Sequence, residues 1–316
     1  MFNEAMIELN NTTKLYGHVI GVNDLTLTLP TGAYGLVGPN GSGKTTLINL
    51  LIGHLRPTLG SLSVFGKDPF QHREMLSRIG LCPATDILYP NISARSWVTY
   101  LVRLHGYSRS ESESMAEAAL ELVGMSSAMD RPIGTYSLGM RQRTKIAQAI
   151  AHHPDLLILD EPYNGLDPVG RDDMTTLLKQ WTRQGKGLLF ASHVLQEIEA
   201  VTSSFLLIFG GRLLASGTAD EIESMLSDTP QEVRVIGRDA PQLIHHLVDM
   251  PWVNSLQLTH QRNELRIALR DPSQFYELIA GWIAADGLQI DQLQTADGNL
   301  AALFASLLKH HRGESA

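Results

Sequence analysis

Short apolar runs alternate with amphipathic stretches along most of the chain. Val19 to Leu29 alternates partly with period two, the pattern of a half-buried strand, and Pro30-Thr31-Gly32 turns the chain after it. Tyr34 to Val37 is a short apolar strand that runs into a glycine-rich segment beginning at Gly38. Helix-spaced apolar residues follow from Leu47 to Leu55 and stop at Arg56-Pro57, and Ile79 to Cys82 reads as another buried strand. From Ser93 to Gly124 the spacing is helical, with Trp97, Tyr100, Leu101 and Leu104 on one face. Leu120 and Val123 share a second apolar face, and another helix starts near Gly139. The pattern then predicts a strand at Leu156 to Leu159, a helix from about Arg171 to Trp181 and a strand at Gly187 to Ala191. A helix from His193 and a β-pair around Phe205 to Ala215 complete this region. Alternating strands and helices predict an α/β fold with a largely parallel sheet. The helical stretch 93–150 interrupts that alternation and reads as an inserted α-helical subdomain.

Composition shifts near Ser227 to Gln231, where a linker is expected. Beyond it the pattern spells strand 232–237, helix 240–250, strand 253–259, strand 264–270, helix 272–284, strand 287–294 and helix 299–310. The first six elements give the βαββαβ order of a ferredoxin-like unit, a small C-terminal α+β domain. The expected division is therefore 1–226 for the larger domain and 232–316 for the accessory one, in keeping with 316 residues.

A formal net charge of −8 opposes a protein that coats nucleic acid, since such binding needs a basic face to displace counterions. No nucleic-acid partner is expected. The single cysteine, Cys82, has no partner for an internal disulfide, which points to a reducing compartment. No apolar run approaches the ~20 residues that span a bilayer, and the first residues lack a secretory pattern. A cytoplasmic location is expected.

The chemistry concentrates in Gly38-Pro39-Asn40-Gly41-Ser42-Gly43-Lys44-Thr45-Thr46, a complete phosphate-binding loop between a predicted strand and a predicted helix. Glycines let backbone N–H groups converge on phosphate oxygens, and the helix N-terminus adds positive partial charge. Lys44 is expected to reach the β- and γ-phosphates, and the Thr45 hydroxyl to ligate Mg²⁺. Leu156-Leu157-Ile158-Leu159 ends in Asp160 and Glu161. The strand delivers Asp160 beside the loop as a second Mg²⁺ contact and leaves Glu161 to polarise an attacking water.

With these motifs in place the chain resembles the ATP-binding cassette (ABC) ATPases, over roughly residues 4–225. Tyr136-Ser137-Leu138-Gly139-Met140-Arg141-Gln142 is similar to the family signature, Asn164-Gly165-Leu166-Asp167 to the loop after the catalytic carboxylate, and Ser192-His193 to the switch histidine. Tyr16 falls where the family stacks an aromatic ring on adenine, although such a residue also serves as packing beside an N-terminal strand. The resemblance implies a P-loop ATPase core that binds ATP and Mg²⁺ in a head-to-tail pair. There the Ser137 and Gly139 signature of one subunit, with Asp167, closes on the nucleotide of the other, and His193 contacts the γ-phosphate. It further implies a second ATPase subunit, a homodimer by preference, and a separate transmembrane permease that holds the protein at the inner face of the membrane. Stand-alone ATPase subunits of bacterial ABC exporters are similar in length and in having a small C-terminal domain.

Three departures stand out. The family glutamine after the strand is replaced by Ala84, whose side chain offers no donor or acceptor. Asp86, two residues on, is either a substitute oxygen ligand or a loop aspartate. In the signature, Leu138 stands for a glycine and Met140 for a glutamine. The face carrying Trp97 and Tyr100 either docks the permease or packs inside the subdomain. The alternative function, a soluble ABC-type ATPase acting on nucleic acid or ribosomes, would need coiled-coil arms or tandem cassettes. Neither pattern is present in the sequence.

Overall fold

The computed structural model describes residues 5–225, 231–259 and 263–295. Its contacts divide the chain into two units, Met1–Thr218 and Ala219–Ala316. In the first unit the strands are β1 (Ile7–Tyr16), β2 (Val19–Leu29), β3 (Ala33–Val37), β4 (Leu59–Val64), β5 (Ile79–Cys82), β6 (Leu156–Asp160), β7 (Gly187–Ser192), β8 (Ser204–Phe209) and β9 (Arg212–Thr218). The helices are α1 (Lys44–Leu51), α2 (Ala94–Leu104), α3 (Arg109–Leu122), α4 (Leu138–Ile150), α5 (Pro168–Arg183) and α6 (Leu195–Glu199). A six-stranded sheet has the order β5-β6-β7-β3-β8-β9. It is parallel throughout except at β9, which returns antiparallel to β8. Every residue of β6 and β7 is buried, which explains why both read as unbroken apolar runs.

A second sheet, β2-β1-β4, is antiparallel. Leu36, Ile158 and Leu189 from the large sheet, Ile7, Leu9 and Leu25 from the small one, and Leu47, Ile48 and Leu51 from α1 form one apolar core. Burial of these side chains anchors α1 and, with it, the loop that α1 follows. Neither β1 as an element nor β4 appears among the runs read from the pattern above. Asn10-Asn11-Thr12-Thr13 breaks the alternation of β1, Asn11 has φ 47°, and the register slips repeatedly between Leu9 and Leu15.

The helical insertion lies between β5 and β6, which are paired neighbours with Ile79 opposite Leu156. What reads as one helical stretch after Ser93 is two helices. Gly106, at φ 92°, reverses the chain, and Ser108 opens α3. The Ser108 hydroxyl accepts from the Glu111 amide at 3.3 Å while the Glu111 carboxylate accepts from the Ser108 amide at 2.9 Å, a reciprocal cap. On α2 the buried stripe is Ala94, Trp97, Val98 and Val102. Tyr100 and Leu104 are exposed, so the face expected from the sequence is split and Trp97 belongs to the interior. Its indole Nε1 donates to Gln148 Oε1 at 2.6 Å and ties α2 to α4.

The second unit contains α7 (Ala219–Met225), β10 (Gln231–Ile236), α8 (Ile244–Leu247), β11 (Val253–Thr259), β12 (Glu264–Leu269), α9 (Pro272–Asp286) and β13 (Gln292–Thr295). Its antiparallel sheet has the order β11-β12-β10-β13, the ferredoxin-like arrangement. Val233, Val235, Leu265 and Ile267 of one sheet face pack on Leu247, Phe275 and Ile279. The helix expected over 240–250 is a 3₁₀ turn followed by the short α8, and the last strand is confined to Gln292–Thr295. The expected helix 299–310 and most of the expected linker lie outside the described residues.

Candidate nucleotide site

The loop 38–43 joins β3 to α1 at the edge of the apolar core. Gly43 caps α1 at φ 111°, and a Cβ there would meet the Gly21 carbonyl oxygen at 2.5 Å, so both conformation and space demand glycine. Lys44 is buried, and its Nζ donates to the Gly38 carbonyl at 2.6 Å and to that of Pro39 at 3.2 Å. Burial pushes its ammonium pKa down, and the charges of Glu161 and Asp160 pull against that. The Ser42 hydroxyl is buried without a hydrogen-bond partner among the described residues. A cation resting on loop carbonyls, an unsatisfied hydroxyl and a helix N-terminus together suit an anion such as a phosphate group.

Asp160, the last residue of β6, accepts from Thr45 Oγ1 at 3.2 Å. Burial pushes its carboxyl pKa up, the bond from Thr45 opposes this, and the Glu161 charge adds to the rise. A carboxylate held at a desolvation cost is stabilised by a cation. The donor set of one carboxylate and one hydroxyl is all oxygen and suits Mg²⁺, which fills its shell with phosphate and water oxygens. No group of three or more His, Cys, Asp or Glu forms a self-sufficient metal cage among the described residues.

Glu161 sits at φ 51°, an uncommon conformation for a side chain-bearing residue. Its amide donates to the Ala191 carbonyl at 2.8 Å and pins the residue to the end of β7. Oε1 accepts from the His193 amide at 3.1 Å and lies 2.9 Å from His193 Nδ1. A carboxylate is acceptor-only, so that contact places the proton on Nδ1 and leaves Nε2 for another partner. Oε2 lies 3.2 Å from the Ser192 hydroxyl. The structure thus gathers Lys44 and Thr45 from the start of α1, Asp160 and Glu161 from the end of β6, and His193 from the end of β7.

The remaining expected residues occupy other places. Tyr16, at the end of β1, puts its hydroxyl 3.5 Å from Thr46 Oγ1, and its ring lies under the Lys14 ammonium at 5.7 Å. Ser137 caps α4 by accepting from the Met140 amide at 3.2 Å. A Cβ on Gly139 would meet the Gly165 carbonyl at 2.9 Å, so the signature and the loop 164–167 lie in close contact. Leu138 is 65 % exposed beside that contact. Asp167 caps α5, accepting from the Gly170 amide at 2.9 Å.

Asp86 takes the place of a loop aspartate with partners of its own. Its Oδ2 pairs with Arg141 Nε at 3.2 Å and its Oδ1 accepts from the Leu88 amide at 3.2 Å. Lys145 donates to the carbonyls of Pro83 at 2.9 Å, Ala84 at 3.3 Å and Thr85 at 3.4 Å. The loop around Ala84 is therefore fastened to α4 by two cations. Gln142, the last residue of the signature-like stretch, donates to the Pro162 carbonyl at 2.8 Å. Reading the sequence missed Glu197, whose Oε2 lies 2.9 Å from Ser192 Oγ. Glu197 carries no motif signal of its own. Only its place four residues after His193 could have drawn attention to it.

A family model described as ABC transporter matches residues 22–164. The chain is 33% identical over 314 residues to the bacitracin transport ATP-binding protein BcrA of Enterococcus faecalis, covering 98% of each. It is 28% identical over 308 residues to the linearmycin resistance ATP-binding protein LnrL of Bacillus subtilis (strain 168), covering 96% of this chain and 98% of that one. Among solved structures, an ATP-binding subunit of an ABC transporter matches with TM-score 0.65 and 26% identity. That match covers 70% of this chain and 93% of the other.

Proposed function

We propose, from the premise that this chain belongs to the ABC transporter family of ATP-hydrolysing subunits, that loop 38–46 binds Mg-ATP and that Glu161 is the general base. The observation that carries this reading is the convergence of Lys44, Thr45, Asp160, Glu161 and His193 on one loop. Lys44 leaves the Gly38 and Pro39 carbonyls for the β- and γ-phosphates. Thr45 and Asp160 hold the metal ion, which supplies charge neutralisation on the phosphate oxygens. Glu161 takes a proton from water. The water oxygen bonds to the γ-phosphorus as the bond to the ADP oxygen breaks. His193, oriented by its contact with Glu161, offers Nε2 to the γ-phosphate. Tyr16, beside Thr46, stacks on the adenine.

Ser137, Gly139 and Asp167 act on a second subunit's nucleotide in a head-to-tail homodimer. Ser137 and Leu138 are both exposed, which leaves the signature open to a second subunit. The relatives named for bacitracin transport and linearmycin resistance support export as the direction. No helix among the described residues is long and apolar enough to cross a membrane. The translocation path is then a separate permease, docked on the helical insertion where Tyr100 and Leu104 face solvent and holding the protein at the inner face of the membrane.

The deciding experiment is Glu161→Gln. The isosteric amide keeps the contacts to His193 but cannot take a proton. Turnover should fall at least 100-fold while ATP still binds and a dimer accumulates on size exclusion. Wild-type turnover in this variant would overturn the base assignment.

A further inference from the structure

The hydroxyl of Ser192 faces two carboxylates and has one proton to give. Ser192 is fully buried, with Oγ 2.9 Å from Glu197 Oε2 and 3.2 Å from Glu161 Oε2. The same oxygen also accepts from the Val194 amide at 3.1 Å. The shorter contact, and the better-anchored acceptor, is Glu197. Its Oε1 pairs with Arg171 Nη1 at 3.1 Å, and Arg171 Nε reaches the Leu166 carbonyl at 3.4 Å. Both carboxylates are mostly enclosed, each side chain being 11% exposed, so water does not supply an alternative partner freely.

We propose that Glu197 is a positioning residue of the ATPase centre: by holding the Ser192 proton, it makes Ser192 an acceptor toward Glu161. The inference rests on Glu161 being the general base. Glu161 Oε1 already accepts from the His193 amide and faces Nδ1. Oε2 is therefore the oxygen that receives the water proton, while the water oxygen bonds to phosphorus and the leaving oxygen departs with ADP. The new O–H on Oε2 then donates to Ser192 Oγ, because that oxygen's own proton is turned to Glu197. If Ser192 pointed its proton at Glu161 instead, one of the two lone pairs of Oε2 would be taken, and the new O–H would face a donor rather than an acceptor.

The test is Glu197→Gln in the full chain, alone and with Ser192→Ala, with Glu161→Gln as reference. A glutamine amide can donate to Ser192 and release the hydroxyl proton toward Glu161. Turnover should fall about tenfold, a fraction of what a general base contributes. ATP affinity and melting temperature should stay near wild type. In the Ser192→Ala background, where no hydroxyl remains to be oriented, Glu197→Gln should change turnover less than twofold. Unchanged turnover in Glu197→Gln, an equal loss with and without Ser192, or a loss that tracks melting temperature would each overturn the proposal. If Glu161→Gln is inactive while Glu197→Gln is normal, only this inference fails. If Glu161→Gln is active, the base assignment fails first.

Discussion

At the scale of single residues, the site is assembled from side chains that would be costly without a ligand. Lys44 is desolvated and donates to two loop carbonyls, and under the proposed function it turns to a phosphate. Replacing it with alanine removes a charge-assisted contact, worth roughly 1.5–3 kcal/mol. ATP affinity should therefore drop by about ten- to a hundredfold in equilibrium binding, with the fold intact by circular dichroism. Binding at wild-type strength would show that Lys44 does not contact the nucleotide. The residues legible in the sequence were those whose role is local. Gly43 must be glycine where the strand meets the helix, and Lys44 and Thr45 follow directly. Asp160 and Glu161 end an unmistakable apolar strand. Arg171 and Glu197 meet only when α5 and α6 are brought together, and no spacing rule announces a contact between residues 171 and 197. Asp86 is the opposite case. Proximity in sequence to the missing amide suggested a ligand, but the side chain pairs with Arg141.

At the scale of elements, the junction between α4 and β6 has a pH dependence built into it. His152 is buried there, with Nε2 3.0 Å from the Ile79 carbonyl and its ring stacked on His105 at 4.0 Å. Burial, and then the neighbouring His105, push its pKa down to about 4. In an unfolded chain the same group titrates near 6.5. The unfolded state thus binds more protons between these values, so the stabilising effect is complete above about pH 6.5 and erodes as pH falls toward 4. Between pH 7 and pH 5 the loss should be about 2 kcal/mol. Urea unfolding of the wild type and of His152→Gln at both pH values isolates this share. The wild type should lose that much more than the variant, and parallel losses would exclude His152 as the source. Element boundaries follow the same physics of local against distant causes. Gly106 and the Ser108–Glu111 cap split a helical pattern that apolar spacing alone had run together. Of the two readings of the Trp97 and Tyr100 face, Trp97 takes the packed one, its indole finding Gln148 on α4, while the Tyr100 ring, 6.5 Å from that of Trp97, is exposed at its edge.

At the scale of the whole molecule, each unit has its own closed core, and the two cores differ in what their failure should do. In the second unit Phe275 is fully buried among Val233, Leu265, Ile267 and Trp252. It packs edge-on to Trp252, ring centroids 6.4 Å apart. Truncating such a side chain removes its transfer free energy and leaves a cavity, at a cost of about 3–5 kcal/mol. That is a large part of the stability available to a small unit. The loop 38–46, Asp160, Glu161 and His193 all belong to the first unit, whose core is built from Leu36, Ile158, Leu189 and the residues of α1. Phe275→Ala should therefore lower the denaturant midpoint reported by tryptophan fluorescence from Trp252 and Trp282, yet leave ATP affinity within twofold of wild type. Tryptophans 97 and 181, both in the first unit, would be replaced by phenylalanine beforehand so that the signal reports the second unit alone. A parallel loss of nucleotide binding would mean that the cassette depends on the accessory unit for its own fold, a coupling that its separate core does not require.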